Sequence, residues 1–160
     1  MNIRDFASNN RDLFRIKPNK LQTFLEQQPH LTPEHVMEVY KIGVSFFDKK
    51  RYEKAEEVFY NLTLLEFKNP IFWKAWALTL LLQKKFKEAL NAYYGAHLLN
   101  PNDIEILSAM ADCCMKLGYQ EGAEEFLTQV CEIFEEEGKR EDLYLRAKTL
   151  LTMLTKNIKS

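Results

Sequence analysis

Residues 70–101 read PIFWKAWALTLLLQKKFKEALNAYYGAHLLNP. Apolar residues recur there at i, i+3, i+4 and i+7 on both sides of a polar break, Gln83-Lys84-Lys85. That spacing predicts two amphipathic helices joined by a tight turn. The same pattern returns upstream and downstream at an interval of 34 residues, as in the column Ala55, Ala89 and Ala123. Val39, Trp73 and Leu107 form a second column, Ile42, Trp76 and Met110 a third, and the small Gly43, Ala77 and Ala111 a fourth. Phe46, Leu80 and Cys114, then Phe59, Tyr93 and Leu127, then Leu62, Ala96 and Val130 extend the register. The large columns are expected to pack inward. The two small ones let paired helices approach closely, because a side chain beyond Cβ would hold them apart.

A 34-residue helix–turn–helix of this kind resembles the tetratricopeptide repeat. The second unit carries the resemblance best, in Trp73, Ala77, Phe86, Ala89, Tyr93, Ala96 and Pro101. The expected fold is all-α: three tandem repeats in an α-solenoid, at 36–69, 70–103 and 104–137. Thr32-Pro33, Asn69-Pro70 and Asp103 put capping oxygens before helix starts, with proline at the first helical position twice. Gly118 falls in the third inter-helix turn, where the first two units hold Lys50 and Lys84.

The flanks complete this plan. Residues 1–35 read as an N-terminal extension with a short helix over Asn19–Gln28, its Leu21, Phe24 and Leu25 on one side and Pro29 stopping it. Met1 to Lys17 have weak periodicity and are expected to be mobile or to order only in an oligomer. Residues 138–160 carry a helical stripe of Leu143, Ala147, Leu150, Leu151, Leu154 and Ile158. A solenoid exposes a raw face at its end, so this stripe reads as a capping helix.

Composition narrows the function. The chain has 160 residues, 46% apolar and 12% aromatic, enough for a real core. Its 22 basic and 23 acidic side chains leave a formal net charge of -1, which argues against a general grip on nucleic acid or anionic lipid. Three cysteines, two adjacent, read as reduced thiols of a cytoplasmic protein rather than a disulfide framework. The N-terminus lacks the apolar stretch of a secretory signal. The longest apolar run, Ala75 to Leu82, is too short for stable membrane insertion.

Nothing assembles into a catalytic set. His30, His35 and His97 are not spaced as metal ligands, so neither metal nor cofactor is expected. Cys114 shares a column with Phe46 and Leu80, which favours a core role over a redox one. Gly-rich phosphate loops, HExxH and GxSxG are missing from the sequence. The acidic stretch around Gly138, from Glu132 to Asp142, reads as a solvated helix end. The chain is therefore read as a non-enzyme that works by surface recognition.

If the first helix of each pair lines the inner face, the residues beside its core positions face a groove. They are Tyr40, Val44 and Phe47 in the first unit, Ile71, Lys74, Leu78 and Leu81 in the second, and Ser108 and Asp112 in the third. Such a groove offers apolar pockets to an extended peptide. It lacks the cations with which repeat adaptors of heat-shock chaperones hold a terminal carboxylate, since Tyr40, Val44, Ser108 and Asp112 stand in those places.

Three stretches complete a more specific resemblance: VYKIGVSFFDKKRYEKAEEVF at 39–59, FWKAWALTLLLQ at 72–83 and AMADCCMKLG at 109–118. Together with the flanking helices they resemble the class II chaperones of type III secretion. The resemblance implies a cytoplasmic protein of a Gram-negative bacterium that holds hydrophobic translocators before export, a Pro- and Leu-spaced segment lying in the groove. It also implies a homodimer through Leu21, Phe24 and Leu25. Lys50 departs from the family's usual Gly, Phe47 from its common Tyr, and Ala77 from its usual Gly. The alternative is a scaffold or regulatory adaptor, such as a needle-subunit co-chaperone, with a folded or helical partner.

Overall fold

The computed structural model describes residues 32–157. The expected helix at Asn19–Gln28, with Leu21, Phe24 and Leu25, lies outside the described residues, as do His30 and Ile158.

Among the described residues seven α-helices follow one another: α1 Pro33–Asp48, α2 Tyr52–Leu65, α3 Pro70–Leu82, α4 Phe86–Leu99, α5 Ile104–Leu117, α6 Gln120–Glu137 and α7 Glu141–Asn157. Each packs on its neighbours in sequence, and beyond that α7 touches α5. This one-dimensional contact pattern is that of a solenoid. No strand occurs among the described residues.

The starts of α1, α3 and α5 are fixed by side-chain oxygens. Thr32 accepts from the His35 amide in a capping box. Asn69 accepts from Ile71, at 3.1 Å, ahead of Pro70. Asp103 accepts from Glu105 at 2.9 Å and Ile106 at 3.2 Å. Each satisfies an amide that the first turn leaves without an intrahelical partner.

The three turns within the pairs share one geometry. The amides of Arg51, Lys85 and Tyr119 donate to the carbonyls of Phe46, Leu80 and Cys114, five residues back. This closure requires a left-handed residue just before the donor. Lys50 (φ 57°), Lys84 (φ 61°) and Gly118 (φ 75°) hold that position.

All three members of the alanine column are fully buried, as are Leu62, Ala96 and Val130. Close approach is visible at Gly43, where an added Cβ would stand 2.6 Å from Phe59 Cε1. The core is divided in two. One cluster joins the first two pairs and takes in Met110 and Cys113 of α5. The other joins α5, α6 and α7 through Ile104, Leu107, Leu127, Val130 and Ala147.

Ile42 differs from the expectation that its column packs inward, for it is 51% exposed. The equivalent Trp76 is covered by the preceding pair, its ring 5.0 Å from that of Tyr60. Among the described residues no element precedes α1 to give Ile42 such cover.

Candidate functional site

The first helices of the pairs carry a hollow of about 400 Å³, lined by Tyr40, Val44, Phe47, Ile71, Lys74 and Leu78 with Phe59 and Ala75. Helix periodicity brings them together. Tyr40, Val44 and Phe47 lie three or four residues apart on α1, and Ile71, Lys74 or Ala75, and Leu78 repeat the spacing on α3. Tyr40 is held in place by two rings, Phe59 at 5.7 Å and Phe72 at 5.6 Å between centroids. Phe47 meets Tyr52 edge-on at 5.6 Å. Ile71 remains 56% exposed and Leu78 39%, so the apolar wall is open to solvent.

A second hollow, also about 400 Å³, lies further along, between Leu81, Phe86, Asp112, Met115, Lys116 and Arg146. Here α7 enters the site, because Arg146 Nη2 donates to Asp112 Oδ1 at 2.6 Å. Ser108 lines neither hollow. It is the short member of the column Tyr40, Lys74, Ser108, and it is buried.

Charge is arranged unevenly. Lys74 Nζ reaches Asp103 at 3.1 Å and also Glu105. Arg140 in turn pairs with Glu105 and with Asp142. Thus the cation inside the first hollow is already neutralised. At the third-unit end of the groove Arg146 meets Asp112, and Lys116 stands beside it.

Among the lining residues that sequence reasoning missed are Phe59 and Arg146. Phe59 belongs to a core column, yet it forms part of the hollow's lining because Gly43 lets its ring come up beneath α1. That Gly43 rather than Ala fills its column was the available signal. Arg146 lies one 34-residue period after Asp112, on a helix beyond the three units over which the groove register was read.

The thiols are poor candidates for chemistry. Cys113 and Cys114 are buried, and burial pushes the Cys113 thiol up to about 12, keeping it protonated at neutral pH. Among the described residues no group of three His, Cys, Asp or Glu could hold a metal ion. No described helix is long and apolar enough to cross a membrane.

Two tetratricopeptide-repeat family patterns match the sequence, one over residues 38–69 and one over 80–137. The fold is a tetratricopeptide-repeat solenoid. No curated protein matches the sequence. Solved structures with this repeat fold include PcrH in complex with the chaperone binding region of PopD, at 20% identity and a TM-score of 0.74. The match covers 79% of this chain and 96% of PcrH, a protein of Pseudomonas aeruginosa. The type III secretion translocator chaperone SycD of Yersinia enterocolitica matches at 15% identity and a TM-score of 0.76, over 85% of this chain and 94% of SycD. The first repeat domain of Spaghetti (RPAP3), bound to the HSP90 peptide SRMEEVD, matches at 20% identity and a TM-score of 0.68, over 83% of this chain and all of that one. The repeat fold is thus shared by proteins with different ligands, and the groove residues must discriminate between them.

Proposed function

We propose that this chain is a cytoplasmic chaperone of a type III secretion system in a Gram-negative bacterium. It holds an extended, Pro- and Leu-spaced segment of a hydrophobic translocator in the groove before export. The observation that carries the reading is the open apolar hollow between α1 and α3, with Ile71 and Leu78 presented to solvent. SycD, which shares the fold, is a type III secretion translocator chaperone and was solved with a peptide of the translocator YopD, and PcrH was solved with the chaperone binding region of PopD. The protein works by binding and catalyses nothing.

The physics suits such a role. A membrane-inserting client exposes apolar segments that aggregate in water, and an apolar groove shields one of them. Each filled pocket contributes about 1.5–3 kcal/mol before ordering costs. Two or three pockets give roughly micromolar affinity, weak enough for release.

The heat-shock adaptor reading has a specific observation against it. Tyr40, Val44 and buried Ser108 occupy the places of the carboxylate-holding side chains, and the nearby Arg146 is engaged by Asp112. Titration of a fluorescent Pro/Leu-spaced peptide tests the proposal. Tyr40→Ala with Phe47→Ala weakens binding by at least ~2 kcal/mol, and Leu78→Asp, at an exposed position, does so without disturbing the core. Unchanged titration curves in both variants would refute the groove, and leave the scaffold or adaptor reading with a folded partner.

A further inference from the structure

The turns within the helix pairs bring several cations to one rim of the groove, interspersed with carboxylates such as Asp48, Glu53 and Glu88. The first turn brings Lys49, Lys50 and Arg51, the second Lys84, Lys85 and Lys87, and the third Lys116. Lys85 is paired with Glu56 at 2.7 Å. Lys49, Lys50, Arg51, Lys84, Lys87 and Lys116 make no ion pair within 4 Å among the described residues. Near the other ends of the first helices, Asp103, Glu105 and Asp142 hold Lys74 and Arg140.

Backbone strain singles out two of the free cations. Lys50 and Lys84 are left-handed at the position where Gly118 closes the third turn. A side chain there strains the backbone where glycine would not. Arg140 is a third left-handed cation, and its guanidinium is engaged by Glu105 and Asp142. No carboxylate within the described chain engages Lys50 or Lys84. Strain retained at an unpaired charge points to a partner outside the chain.

The rim adjoins the groove directly. Phe47 and Leu81, both groove residues, stand three residues before Lys50 and Lys84, and Lys116 itself lines the second hollow. An extended strand lying across α1, α3 and α5 presents alternate side chains to opposite sides. We infer that the groove selects segments in which acidic residues alternate with the apolar anchors, their carboxylates facing Lys50, Lys84 and Lys116. This deepens the proposed function and rests on it. A protein segment is favoured over nucleic acid or membrane because Asp48, Glu53 and Glu88 interrupt the cations, breaking any continuous phosphate-binding stripe.

The test compares a Pro/Leu-spaced peptide with Glu at the intervening positions and its Gln counterpart, by fluorescence anisotropy with the full chain. The Glu peptide is expected to bind about tenfold more tightly at low salt, and the preference to shrink as ionic strength rises. Lys50→Glu with Lys84→Glu abolishes the preference while the Gln peptide keeps its affinity. Lys50→Gly with Lys84→Gly, which relieves the backbone, raises the melting temperature and also reduces the preference. Equal affinity for the two peptides overturns this inference and leaves the groove standing, whereas failure of both peptides to bind overturns the groove itself. Tighter, lysine-dependent binding to anionic phosphatidylserine vesicles or single-stranded DNA than to the Glu peptide also overturns it.

Discussion

At Gly43 the lack of a side chain shapes the groove, because Phe59 fills the space a Cβ would need and so reaches the hollow from α2. Phe59 is itself only 2% exposed and has nowhere to retreat. Gly43→Ala is therefore expected to destabilise the chain by ~1–3 kcal/mol, read by urea denaturation. It should also weaken peptide binding, by tilting the ring that supports Tyr40. A second residue-scale prediction concerns His97, whose Nδ1 is buried with no hydrogen-bond partner among the described residues. Burial lowers its pKa below the ordinary 6.5. The folded chain then binds a proton less readily than the unfolded chain, so stability is full above about pH 6.5 and falls as pH drops below it. Melting curves across that range should show the loss, and His97→Phe should flatten it. At this scale the sequence told which side chains are large and which small. Ser108 shows where such reading stops: its register matches Tyr40 and Lys74, but a single hydroxymethyl does not reach the groove those longer chains line.

Helix α7 is the element on which the third pair depends. Ala147, 1% exposed, is the point where it presses into the cluster of Leu107, Leu127 and Val130. Its Phe134–Tyr144 stack, at 4.2 Å, fastens it to α6. Ala147→Glu buries an unpaired charge, at a cost of about 3 kcal/mol or more. Because the core is split, hydrogen exchange should speed up over α5–α7 while α2–α4 keep their protection; uniform loss of protection would instead argue for one cooperative core. The stripe from Leu143 to Leu154 made this helix readable from sequence, since its apolar spacing has no other use. Its role in the groove was not readable. Arg146 belongs to the polar face of that stripe, and the packing of α7 on α5 brings it to Asp112.

For the whole molecule, the solenoid was legible because a 34-residue period repeats a local structure, and each pair packs chiefly on its neighbours. Long-range topology, which sequence patterns report poorly, contributes little here. The groove was legible for the same reason along α1 and α3, where register alone orients side chains. It faded at the third pair, where ion pairs between distant residues decide what is exposed. The central claim is that the wall formed by Tyr40, Val44, Ile71 and Leu78 receives an extended client. Photo-crosslinking in the native host, from a benzophenone amino acid placed at Ile71 and, as a control, at exposed Met153 on α7, tests it most directly. The account predicts a covalent adduct at position 71 alone, with a secreted protein carrying long apolar stretches. Adducts at position 153 alone, or at 71 only with a folded soluble protein, would contradict it.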